Sequence, residues 1–198
     1  MKKIIALILC LIFVFSFAGC KKTEKSSATI DIEYYANLGK MPEIEFSLGS
    51  DPKTVKEKLE ENYDKYLETE KDNDDHNHDH DATAITFNEI EGKKNVLLSN
   101  GVTNYYYVKE KEDEGIAYIV NKDRSFDFEL GTSIIDVKTA LGDTKYNETE
   151  VTEENAFFAT AVTDGTLLEI VCGDIVTLFV FQENELYATA MYNKKVWN

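Results

Sequence analysis

The sequence predicts an α+β fold of two tandem repeats, each a helix (or helix pair) packed on a short antiparallel β-meander. Two observations predict it. Residues 126–141 restate residues 44–59 at a constant spacing of 82. Phe46 answers Phe128, Leu48 answers Leu130 and Gly49 answers Gly131, while Val55, Lys56 and Leu59 answer Val137, Lys138 and Leu141. Each copy is then followed by short apolar runs broken by turn residues, the pattern of consecutive antiparallel strands.

The chain opens with a segment that such a fold does not use. Met1-Lys2-Lys3 and the apolar run 4–18 form a secretory signal, too short to span a bilayer. The run ends Ala18-Gly19-Cys20, which resembles a bacterial lipobox. That resemblance implies cleavage after residue 19 and acylation of Cys20, with palmitate-like chains anchoring the protein extracytoplasmically to the cell membrane. Residues 1–19 are therefore read as a lipoprotein signal peptide and 20–40 as the lipidated cysteine and a polar tether. Ile30, Ile32, Tyr34 and Tyr35 could add an irregular first strand. With Cys20 acylated, Cys172 has no disulfide partner in the mature chain, and its apolar run 167–172 marks it as a small core hydrophobe.

Repeat one occupies 41–124 and repeat two 125–198. Each starts with an alternating stretch, a glycine turn and a capped helix: Asp51 before Pro52 in the first, Ser133 with Asp136 in the second. Valine and leucine four apart give each helix one apolar face. Strands are expected at 84–87, 95–98, 104–108 and 116–120, and again at 156–162, 167–172, 177–181 and 186–192. The spacing between copies falls from 82 at the helix to 74 at the aromatic strand, where Tyr105 answers Phe179. The first copy therefore holds an insertion, the Asp/His-rich loop 72–81.

That loop contains every histidine of the chain, His76, His78 and His80, among Asp74, Asp75, Asp79 and Asp81. Alternate histidines in extended backbone project to one side, and imidazole with carboxylate is a ligand set for Zn²⁺, Ni²⁺ or Cu²⁺. The same composition also describes a solvated low-complexity loop. An EF-hand is excluded, since its turn glycine and closing glutamate are missing. The body requires no cofactor; weakly bound Zn²⁺ is the one ligand this tract suggests.

Catalysis finds no footing. With all histidines in one loop, no Ser-His or Cys-His pair forms inside the fold, and nucleophile-elbow, phosphate-loop and dinucleotide motifs are absent. No enzymatic role is expected. A formal charge of −16 excludes a nucleic-acid partner. The consecutive Tyr105, Tyr106 and Tyr107 put rings on both sides of one strand. One side is core; the other is either the junction between repeats or a tyrosine-bearing face for a protein partner, favoured if basic.

Leu130-Gly131-Thr132-Ser133 followed by Val137-x-x-x-Leu141-Gly142-Asp143 resembles the helical signature of the SmpA/OmlA envelope lipoproteins and of the tandem-repeat β-lactamase inhibitor protein. The resemblance covers about 20 residues per copy, and the first copy lacks the second glycine. It implies helices on an antiparallel sheet and a role in binding other envelope proteins. The expected function is thus a membrane-anchored, non-catalytic protein-binding module of the cell envelope, with metal capture through the His/Asp-rich loop as the alternative.

Overall fold

Strands and helices follow one another as α1 (Ile32–Leu38), α2 (Pro52–Asp72), β1 (Asn88–Glu91), β2 (Asn95–Ser99), β3 (Thr103–Val108) and β4 (Tyr118–Asn121). Then come α3 (Ile134–Leu141), β5 (Asn147–Glu150), β6 (Thr166–Cys172), β7 (Ile175–Gln182), β8 (Glu185–Asn193) and the helical turn α4 (Lys194–Trp197). The computed structural model describes residues 30–72, 85–152, 154–155 and 162–197. Cys20 and the tract His76, His78 and His80 lie outside them.

Among the described residues eight strands form one antiparallel sheet in the order β1-β2-β3-β4-β8-β7-β6-β5. This corrects the expectation of two tandem repeats, each with its own helix-covered meander. The last strands of the two halves, β4 and β8, hydrogen-bond to each other, Tyr118 opposite Tyr192 and Ile119 opposite Met191. What would have been two edges is instead the centre of a single sheet, and all four residues of β4 are buried. The pairing satisfies the main-chain groups an edge would leave open. The described residues are mainly sheet with few helices, and only the broad α+β class carries over.

The helices cover one face. Val55 and Leu59 of α2, and Ile134, Val137 and Leu141 of α3, join Leu98, Tyr105, Ile119, Phe179, Phe181 and Met191 in one core that runs across both halves. The caps form as their residue types dictate. Asp51 accepts from the Thr54 amide at 3.1 Å, and Ser133 accepts from the Asp136 amide at 3.1 Å while donating to its carboxylate at 2.8 Å. Lys56 pairs with Glu89 and Lys138 with Glu148, so each helix is tied to the outermost strand of its own half.

Three local expectations are also corrected. Residues 32–38, assigned to the tether or to an irregular strand, form α1, with Asp31 capping the Tyr34 amide at 2.9 Å. Ile32 and Ala36, one turn apart, are 1% and 2% exposed and seat this helix on the sheet. The alternating stretches before the glycine turns are not strands. Residues 44–48 run in irregular backbone, and Phe126 and Asp127 both have positive φ in a tight turn closed by Ser125 and Phe128. Finally, residues 85–87 do not form a strand, and the strands that open the two meanders are the polar β1 and β5; residue 84 and the expected strand residues 156–161 lie outside the described residues.

Candidate interaction face

The period of two along β3 separates the three tyrosines. Tyr105 points into the helix-side core at 2% exposure and meets Phe46 edge to face, centroids 5.7 Å apart. Burial, helped by the Glu45 charge, pushes its phenol up to about 12, although hydrogen bonding to the Phe46 main chain and to Thr103 opposes this. Tyr105 is therefore unavailable to a partner. Tyr107 lies half-buried on the same side, its phenol raised first by burial and then by Glu112, Glu89 and Glu91. Of the three, only Tyr106 belongs to the opposite face.

On that opposite face the strand registers align an unbroken apolar row. Ile90 of β1 stands opposite Leu97 of β2, Leu97 opposite Tyr106, and Tyr106 opposite Tyr118. Tyr118 faces Tyr192, Tyr192 faces Val176, and Val176 faces Val171 of β6. Seven strands contribute one residue each. The neighbouring row, in contrast, ends in Asn88, Ser99 and Asn104 on one side and in Glu169 and Asn147 on the other.

The middle of the row is sealed. Tyr118 is fully buried, and its ring lies 5.5 Å from Tyr106, 5.6 Å from Tyr192 and 5.2 Å from Trp197 of α4. Lys111 holds α4 in place, donating from Nζ to the carbonyl oxygens of Lys195 (3.1 Å) and Val196 (2.8 Å). Burial raises the phenols of Tyr106, Tyr118 and Tyr192, so all three stay neutral hydrogen-bonding groups at physiological pH. The ends are open: Ile90 is 57% exposed and Val171 46%, and Leu97 and Tyr106 are half-buried. Nearby on this face, Lys122 Nζ stands 5.5 Å above the Tyr187 ring.

Cys172 is half-buried, and burial, then Glu33 and Asp31, raise its thiol, which disfavours the thiolate. Among the described residues no group of three His, Cys, Asp or Glu side chains is placed to hold a metal, and no helix is long and apolar enough to cross a membrane. Comparison with family models, curated proteins and solved structures gives no match to this chain.

Sequence reasoning reached Tyr106 but not its partners in the row. Tyr118, Tyr192 and Trp197 carry the aromatic signal, yet only the β4–β8 register brings the two tyrosines together.

Proposed function

We propose that the protein is an extracytoplasmic lipoprotein, anchored through Cys20, that binds another protein of the cell envelope without catalysis and receives it on the sheet face opposite the helices. The observation that carries this reading is the apolar row, open at Ile90 and Leu97 and built around Tyr106. Neutral aromatic and aliphatic side chains in register are what the centre of a protein interface requires, and tyrosine contributes both apolar area and a polar tip. The strongly acidic chain, formally −16 over its full length, steers encounter with a basic partner. The lipobox-like Ala18-Gly19-Cys20 and the resemblance to envelope lipoproteins support the address.

The experiment is photo-cross-linking in intact cells, with a photoreactive residue at Leu97 or at the exposed helix position Lys53. A discrete adduct from Leu97 and none from Lys53 is expected. Adducts from Lys53 alone, or none from Leu97, refute the assignment of the face. In the same cells Cys20→Ala should move the protein out of the membrane fraction; retention after a salt wash would refute the anchor.

The alternate histidines His76, His78 and His80 carry the second reading, weak capture of Zn²⁺, Ni²⁺ or Cu²⁺, on their spacing alone.

A further inference from the structure

Among the described residues the eight-stranded sheet leaves two edges, β1 and β5, and they are not equivalent. On β1, the Gly92 amide donates to the Asn95 carbonyl at 2.8 Å, which closes the hairpin to β2. Antiparallel alternation then turns the main-chain groups of Ile90 and Asn88 toward β2 and those of Glu89 and Glu91 away from the sheet. Among the described residues, nothing hydrogen-bonds to these outward groups. On β5, the Val151 amide donates to the Gly165 carbonyl at 3.0 Å, so Glu148 and Glu150 are the outward residues. There the outward carbonyl of Glu150 is already occupied by the Asn155 side-chain amide at 3.0 Å.

The side chains differ in the same sense. β5 reads Asn-Glu-Thr-Glu and offers no apolar group, whereas β1 places Ile90, 57% exposed, at the open end of the apolar row. Edge glutamates ordinarily deter strand addition. On β1 both are drawn into ion pairs within the molecule, Glu89 with Lys56 and Glu91 with Lys109 (2.8 Å). They still face the helix side, opposite Ile90, because residues alternate along the strand.

We propose that β1 is the receiving edge, and that an extended basic segment of the partner adds beside Asn88–Glu91 as a ninth strand. This rests on the protein-binding reading and specifies its mode. The added strand exchanges main-chain hydrogen bonds with Glu89 and Glu91 and sets an apolar side chain against Ile90, which lengthens the row. The residues flanking that side chain fall on the side of Glu89 and Glu91, where lysine or arginine fits the acidic body. The recognised pattern is therefore basic–apolar–basic in extended conformation. A second copy of this chain fits poorly, since it would bring another charge of −16 to the same edge.

The test uses a fluorescent, end-blocked heptapeptide alternating lysine and valine, read by anisotropy in physiological salt. A block peptide of the same composition serves as the charge control. Glu91→Pro removes an outward N–H that β2 does not use, and Glu91→Gln removes the same charge but keeps the N–H. Expected are tighter binding of the alternating peptide than of the block peptide, about a tenfold loss in Glu91→Pro, and a much smaller loss in Glu91→Gln. Glu148→Pro on β5 should bind as the wild type does. Should Glu91→Pro fail to fold by circular dichroism, Ile90→Lys supplies the second variant, with the same loss expected. Equal losses in Glu91→Pro and Glu91→Gln, or equal binding of the two peptides, overturn the proposal. So does a dimer in light scattering that Glu91→Pro dissolves, which would make the occupant a second copy. A cellular Leu97 adduct that persists unchanged in Glu91→Pro overturns strand addition while leaving the face assignment standing. A wild type that gives no Leu97 adduct but shows the peptide pattern refutes the face and leaves the edge.

Discussion

Three glycines share nearly the same φ and differ in the space around them. Gly49 (φ 79°), Gly131 (φ 83°) and Gly115 (φ 78°) all lie where L side chains are strained. At Gly49 and Gly131 a Cβ would meet nothing within 4 Å. At Gly115 it would stand 2.5 Å from the Gly49 carbonyl oxygen and 2.8 Å from that of Ser50. The reason is a matched pair of links. The Gly49 amide donates to Ile116 O at 2.8 Å and the Ile116 amide to Ser50 O at 2.9 Å, which pins the loop before α2 against the residues leading into β4. In the second half Gly131 and Thr132 make the same two bonds with Leu186 of β8, at 2.8 and 2.9 Å. There no glycine lies under the loop. Gly49→Ala and Gly131→Ala should each cost about 1–2 kcal/mol, the left-handed penalty alone. Gly115 also has ψ −158°, a combination almost confined to glycine. Its alanine variant adds backbone overlap, so the cost should reach about 3–5 kcal/mol. Urea unfolding followed by the fluorescence of Trp197, the single tryptophan of the chain, measures all three. If Gly115→Ala lost no more than Gly49→Ala, the close approach of the two loops would be wrong.

Three further outcomes are expected. Val55→Ala and Val137→Ala, both at fully buried positions of the helix-side core, should each cost about 1–3 kcal/mol in urea unfolding; a cost near zero at either would show that helix to be peripheral. Burial raises the phenols of Tyr105 and Tyr118, so the folded state keeps them neutral where the unfolded chain ionises. Their contribution is complete below about pH 10 and is lost as pH rises, at about 1.4 kcal/mol per pH unit for each tyrosine. For Tyr105 the loss runs up to its folded value of about 12, and Tyr118→Phe should flatten the slope of stability between pH 10 and 11. Replacing His76, His78 and His80 together with asparagine should abolish Zn²⁺ heats in isothermal titration and leave the metal-free melting temperature unchanged; unaltered heats would exclude the histidines as ligands.

Much of the local structure was legible in the chain, because caps and strand alternation act between near neighbours. Asp51 before Pro52 and Ser133 with Asp136 announced two helix starts, and both caps form. The apolar runs of β2, β3, β6, β7 and β8 were placed to within a few residues, since strands buried on one or both faces must carry apolar side chains. The outermost strands were not. Asn-Glu-Ile-Glu and Asn-Glu-Thr-Glu lie exposed at the sheet edges, so burial imposes no apolar pattern on them. The helix α1 was missed because its seven residues bury only Ile32 and Ala36, and two apolar positions one turn apart do not make a period. Residues 44–48 alternate without forming a strand, and among the described residues no strand pairs with them.

What tertiary structure alone decided is the pairing of β4 with β8 and everything that depends on it. Periodicity assigns a residue to one of two faces, but it does not say which strand lies alongside, nor in which register. Tyr105, Tyr106 and Tyr107 show the difference. Alternation required that Tyr106 oppose the other two, yet which side was core depended on where α2 and α3 packed. The row from Ile90 to Val171 exists only because six separate strand pairings fall into line, and five of those pairs join residues less than about 20 apart in sequence. The pair that unites the halves, Tyr118 with Tyr192, joins residues far apart in the chain. That contact is fixed by burying two would-be edges against each other, a free energy that belongs to the whole sheet and to no local stretch of sequence.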